Sequence, residues 1–163
     1  MLQELIDNMY ISENLIDLQL QSNSNQEAIK KLANLLLKEN FVKESYLEAI
    51  IEREKVFSTG LQLKQIGVAI PHTDAIHVKK QGIAIAKLVN PVNFKMMGNP
   101  EVDVPVSMMF MLAIKEPHKQ LEFLQALINL FQNDDLIVTL SNIKNKKELI
   151  NEFKKAIDEQ SKN

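Results

Sequence analysis

The run MMFMLAI, Met108 to Ile114, contains no charged side chain and no polar one that needs water. A strand with one wet face alternates apolar and polar residues, so an unbroken apolar run belongs in the middle of a sheet covered on both faces. Pro105 cannot donate to a ladder, which places the start of pairing after it. The segments GVAI (67–70) and GIAIAKLV (82–89) have the same strand character, and ENLIDLQL near the start offers a further strand. Between and around these runs lie helical patterns. Ser24 with Glu27 forms a capping box ahead of Ala28, Ile29, Leu32, Leu35 and Leu36. A second pattern follows Ser45, with Leu47, Ile50 and Ile51 on one side. After Pro117 come Leu121, Leu124, Ile128 and Phe131 at helical spacing, then DDLIVTL and KKELINEFKKAIDEQ, the last burying Leu149, Ile150, Phe153 and Ile157. Strands interleaved with helices around a doubly covered strand predict an α/β sandwich of three layers, with helices on both faces of the sheet.

Glycine and proline number 4 and 5, and no low-complexity linker divides the 163 residues. One domain over 1–163 is expected, with the terminal SKN frayed. A formal net charge of −2, from 19 basic and 21 acidic side chains, gives no broad positive field for nucleic acid. The chain has no cysteine, which excludes disulfides, thiolate nucleophiles and thiolate metal sites and fits a reducing cytoplasm. MLQELIDNMY lacks the basic-then-apolar pattern of a signal peptide, and no apolar run is long enough for a membrane span. The methionines at 96, 97, 108, 109 and 111 read as core filling, because three of them lie in the most apolar strand.

Chemistry centres on GVAIPHTDAI. His72 follows a strand and a proline whose ring fixes its own backbone angle and biases Ile70 toward an extended conformation, so the imidazole is stiffly mounted. Upstream, Arg53 offers a fork of donors to phosphate oxygens, Thr59 a hydroxyl, and the backbone around Gly60 a small anion cradle. Each has a plainer reading: a satisfied strand-end histidine, a solvated helix-end arginine, and a turn. A metal reading would use His72, His77 and Asp74, but nothing supplies a fixed fourth ligand. A serine hydrolase lacks its G-x-S-x-G elbow, and nucleotide glycine motifs are absent. No cofactor is called for.

The ordered series Arg53-Glu54, Ser58-Thr59-Gly60 and Gly67-Val68-Ala69-Ile70-Pro71-His72 resembles the enzyme IIA domains of the fructose and mannitol superfamily in the bacterial phosphoenolpyruvate-dependent sugar phosphotransferase system. EREKVFSTGL, GVAIPHTDAIHV, GIAIAKLVNPVNF and EPHKQLEFLQALINLFQ look most like its galactitol-type branch, over about Glu27 to Leu140. That resemblance implies a mixed sheet flanked by helices, and a phosphotransferase in which His72 takes a phosphoryl group from the carrier HPr, with Arg53 beside it. It also implies a IIB partner, phosphorylated on a cysteine in the galactitol type, that serves a membrane IIC component. Thr59 joins His72 and Arg53 as a candidate, and Glu54 could orient either of those two. Many relatives carry a second histidine where this chain has Gln120, with His118 two residues earlier, so both are candidate assistants. The alternative is a regulatory module whose phosphohistidine controls a partner protein.

Overall fold

The computed structural model describes residues 2–162. In chain order it contains α1 (Leu2–Asp7), β1 (Ile16–Leu20), α2 (Asn25–Lys38), α3 (Ser45–Val56), β2 (Gly60–Gln62), β3 (Gly67–Ala69), β4 (Gly82–Met96), β5 (Asn99–Ala113), α4 (Pro117–Leu130), α5 (Asp134–Asn142) and α6 (Lys146–Ser161). Single helical turns at Glu13–Leu15 and Ala75–His77 complete it.

The five strands form one mixed sheet. β4 and β5 make a long antiparallel hairpin whose register runs from Gly82↔Ala113 to Met96↔Asn99. β1 lies parallel on β4, β3 lies parallel on β5, and β2 pairs antiparallel with β3. Gly60 adds one parallel bridge to Met96. Residues of β5 then alternate between two cores, as a period of two requires. Met108, Phe110 and Leu112, with Ile114 just past the strand, face α1, α4, α5 and α6, where Phe110 packs on Phe131 and Phe153. Met109, Met111 and Ala113 face α2 and α3. The expected three layers are present.

Several details differ from the sequence reading. Pairing does not wait for Pro105, which stands opposite Asn93 within the hairpin. Its carbonyl oxygen points toward Gly67 of β3, where an added Cβ would come within 2.2 Å of it. N–H and C=O of one strand residue point the same way, so the missing N–H costs the β4–β5 ladder nothing. Gly67 is needed for this close approach. In α3 the buried stripe is Tyr46, Ile50 and Glu54, with Leu47 and Ile51 only half-buried. Tyr46 occupies the core because its hydroxyl donates to the Leu112 carbonyl at 2.7 Å. In α4 the core face is Phe123, Ala126, Leu127 and Leu130, while Leu121 is 54% exposed.

Ser24 caps α2 as the pattern requires, accepting the Glu27 N–H at 3.1 Å, although Glu27 reaches back to the N–H of Asn23 and not to that of Ser24. The terminal SKN is not wholly frayed: Ser161 ends α6 and donates to the Asp158 carbonyl at 2.8 Å. Asn163 lies outside the described residues.

Candidate functional site

The segment from Ile70 to Thr73 is fastened through its backbone on both sides of His72. Ile70 N–H donates to the Thr59 carbonyl (3.3 Å), Leu112 N–H donates to the Pro71 carbonyl (3.1 Å), and Gln120 Nε2 donates to the Thr73 carbonyl (3.2 Å). β5, α4 and the loop after α3 therefore all converge on the residues flanking His72. The imidazole itself is tied down as well. Its Nδ1 lies 2.9 Å from the Ile70 carbonyl oxygen. A carbonyl only accepts, so Nδ1 carries the hydrogen and Nε2 is left with its lone pair. Burial lowers the proton affinity of His72, and the Arg53 charge lowers it further, against the Ile70 bond and Asp74, which raise it. Burial thus favours the neutral ring, in which Nε2 is the nitrogen with a lone pair.

His72 lines a cleft of about 280 Å³ together with Val56, Phe57, Thr59, Met97 and Leu124. Its rim is apolar and open: Val56 is 70% exposed and Phe57 58%. Met97 comes from the turn of the β4–β5 hairpin, which Gly98 makes possible at φ +79. Ser58 donates to the Met96 carbonyl at 2.9 Å and joins this turn to the loop after α3.

Arg53 sits in the last turn of α3, its guanidinium carbon 4.3 Å from the Phe57 ring centre. That stacking holds the cation against Phe57, itself a residue of the cleft lining, near enough for its charge to act on His72. The Arg53 Nε is buried without a hydrogen-bond partner, a donor waiting for an acceptor. Glu54 orients neither Arg53 nor His72. Only 6% exposed, it accepts the Thr59 N–H and the Thr59 hydroxyl, each at 2.6 Å. Burial raises its carboxyl to about 7 in spite of those two bonds. The Thr59 hydroxyl, read from sequence as a donor to an anion, is thus committed to Glu54, as is the Thr59 N–H.

Gln120 reaches the residue after His72, but the atom it leaves buried and unpartnered is Oε1, an acceptor. One Nε2 hydrogen is spent on Thr73, and the second is left for another acceptor. His118 is exposed in the first turn of α4, outside the cleft lining. His77 faces Ser45, with Nδ1 and Oγ 2.8 Å apart. Among the described residues no three His, Cys, Asp or Glu side chains gather as a metal site, so His72, Asp74 and His77 form no ligand set. No described helix is long and apolar enough to cross a membrane.

Residues 9–156 match the family model for the phosphoenolpyruvate-dependent sugar phosphotransferase system, EIIA 2. The chain belongs to that family. This EIIA chain is 34% identical over 114 residues to the galactitol-specific EIIA component of Escherichia coli K12, covering 70% of this chain and 75% of that one. It is 35% identical over 101 residues to the transcriptional regulator ManR of Bacillus subtilis, covering 62% of this chain and 14% of the regulator. Its fold matches the mannitol IIA in the E. coli complex of IIA with phosphorylated IIB at a TM-score of 0.72 and 21% identity, covering 91% and 97% of the two chains.

Proposed function

We propose that this EIIA chain, as a single IIA domain in the cytoplasm, accepts a phosphoryl group from phospho-HPr on Nε2 of His72 and passes it to a IIB component. The observation that carries the reading is the Nδ1 contact to the Ile70 carbonyl, which leaves Nε2 as a free lone pair in an open cleft. In the first transfer the Nε2 lone pair attacks phosphorus in line with the bond to the donor imidazole. The P–N bond of the donor breaks and its electron pair returns to the HPr ring. The new phosphohistidine has substituents on both nitrogens and therefore a positive ring, which the Ile70 carbonyl steadies. The second transfer reverses these roles toward the IIB acceptor.

Arg53 supplies charge where the three phosphoryl oxygens gather. Its planar fork, stacked on Phe57, is not reproduced by a lysine. Arg53→Lys is expected to slow phosphorylation by about tenfold to a hundredfold, the worth of a hydrogen bond to a charged group. Rapid-quench labelling by phospho-HPr measures this; an unchanged rate removes Arg53 from the reaction.

The apolar rim of Val56, Phe57, Met97 and Leu124 suits brief docking of successive partners, since a carrier must be released after each transfer. The half-exposed stripe of α4, including Leu121, extends it. The likeness to a galactitol-specific component supports a sugar alcohol as the transported substrate, selected by the IIC component. The match to ManR supports a second reading, in which the same phosphohistidine controls a regulator. Incubation with phosphoenolpyruvate, enzyme I and HPr, followed by addition of the cognate IIB, separates the two. A carrier gains one phosphoryl group in intact mass and loses it to IIB; retention of the group in the presence of IIB favours regulation, and no gain at all defeats both.

A further inference from the structure

The phosphocarrier reading leaves a chemical mismatch inside the cleft. Thr59 is 2% exposed and lines the cavity with His72, yet its single hydroxyl hydrogen is given to Glu54. Toward the cleft it presents only lone pairs, which repel phosphoryl oxygens. The Thr59 N–H is also spent on the same carboxylate. A buried carboxylate that accepts two bonds from one residue, and makes none to the adjacent arginine, has no part in the transfer as described above.

A proton on Glu54 reverses the polarity of this pair. A carboxylic acid donates to Thr59 Oγ, keeps its other oxygen for the Thr59 N–H, and frees the hydroxyl hydrogen to turn toward the cleft. We propose, resting on the phosphocarrier reading, that Glu54 and Thr59 form such a proton-operated donor switch: phosphorylation of His72 draws a proton onto Glu54, and the Thr59 hydroxyl turns to bind a phosphoryl oxygen. No heavy-atom bond changes beyond the phosphoryl transfer itself. The proton comes from solvent and returns there when the phosphoryl group departs.

Two observations support the switch. Glu54 also borders a second cavity of about 240 Å³, whose lining does not include His72 and which offers a route for the proton. The cations that share this cavity are Lys55 of its own helix and Lys95 of β4, while α2 presents Asn25 and Gln26; the two lysines oppose a proton on Glu54, and burial favours it. Burial already raises its carboxyl to about 7, so a proton is taken up at little cost near neutral pH. A phosphoryl dianion across Thr59 raises that affinity further, as like charges do.

The test is the phosphoryl-exchange equilibrium with HPr, measured above pH 7 for the wild type, Glu54→Gln, Thr59→Ser and Thr59→Val. Linked uptake of one proton makes the wild-type constant fall by up to about tenfold more per pH unit than that of Glu54→Gln. Thr59→Ser keeps this difference and Thr59→Val diminishes it. An infrared difference spectrum of phosphorylated minus free protein independently shows a new protonated-carboxyl band, absent in Glu54→Gln. If Glu54→Gln does not fold, the wild-type band, kept in Thr59→Ser and diminished in Thr59→Val, decides. Normal labelling of His72 with equal pH dependence in the wild type and Glu54→Gln, or with no carboxyl band, overturns the switch alone. Failure of His72 to label overturns the carrier reading and the switch together.

Discussion

Replacing His72 with alanine is expected to abolish phosphoryl uptake from HPr while leaving the fold standing. The loss should be complete, because His77 has Nδ1 against Ser45 and His118 lies outside the cleft, so neither is mounted to take over. The structural cost should be small. The imidazole is half-buried and makes one hydrogen bond, to Ile70, worth about 1 kcal/mol net. For a chain of this size that corresponds to a fall in Tm of roughly 2–4 °C. Intact-mass spectrometry after incubation with phosphoenolpyruvate, enzyme I and HPr reads the first effect, and calorimetry the second. Residual labelling in the folded variant would mean that another side chain accepts the phosphoryl group.

The second large effect concerns stability and pH. Glu54 has its carboxyl raised from 4.5 to about 7 by burial. Between those values the native state holds a proton that the unfolded chain has released, so stability falls as pH rises through this window and stays lower above it. The full difference is on the order of 3 kcal/mol for a shift of this size. His72, lowered mainly by burial, acts with the opposite sign. Below about pH 6.5 the unfolded chain binds a proton that the native ring refuses, so its contribution is restored as pH rises. Glu54→Gln removes only the effect of Glu54. It is expected to be more stable than the wild type at pH 8 and to converge with it near pH 5, by urea unfolding at the two pH values. A constant difference at both would show that Glu54 is not held away from its charged form.

The central strand was legible because MMFMLAI has no alternation, and β5 does send successive residues of that run into two different cores. The mounting of His72 was legible too, since proline after a strand fixes the backbone locally. Helix faces were less so. In α4 two apolar stripes compete, and the one chosen from spacing includes Leu121, which is exposed because Phe123 and Leu127 fill the core. Tyr46 displaced Leu47 from the expected stripe of α3 by finding a carbonyl for its hydroxyl, a partner 66 residues away. The pairing of Glu54 with Thr59 depends on the chain doubling back after α3, which no residue-by-residue propensity specifies. Without that turn Glu54 reads as one more exposed charge beside Arg53.

The central claim is that His72 stands neutral, with its hydrogen on Nδ1 and its lone pair on Nε2. Nitrogen-15 NMR of the imidazole, before and after phosphorylation, reads this directly. The expected free-state spectrum shows a neutral Nδ1–H ring near pH 7, and the phosphorylated spectrum shows phosphorus coupled to Nε2. A ring protonated on Nε2 in the free protein, or phosphorus bonded to Nδ1, would contradict it.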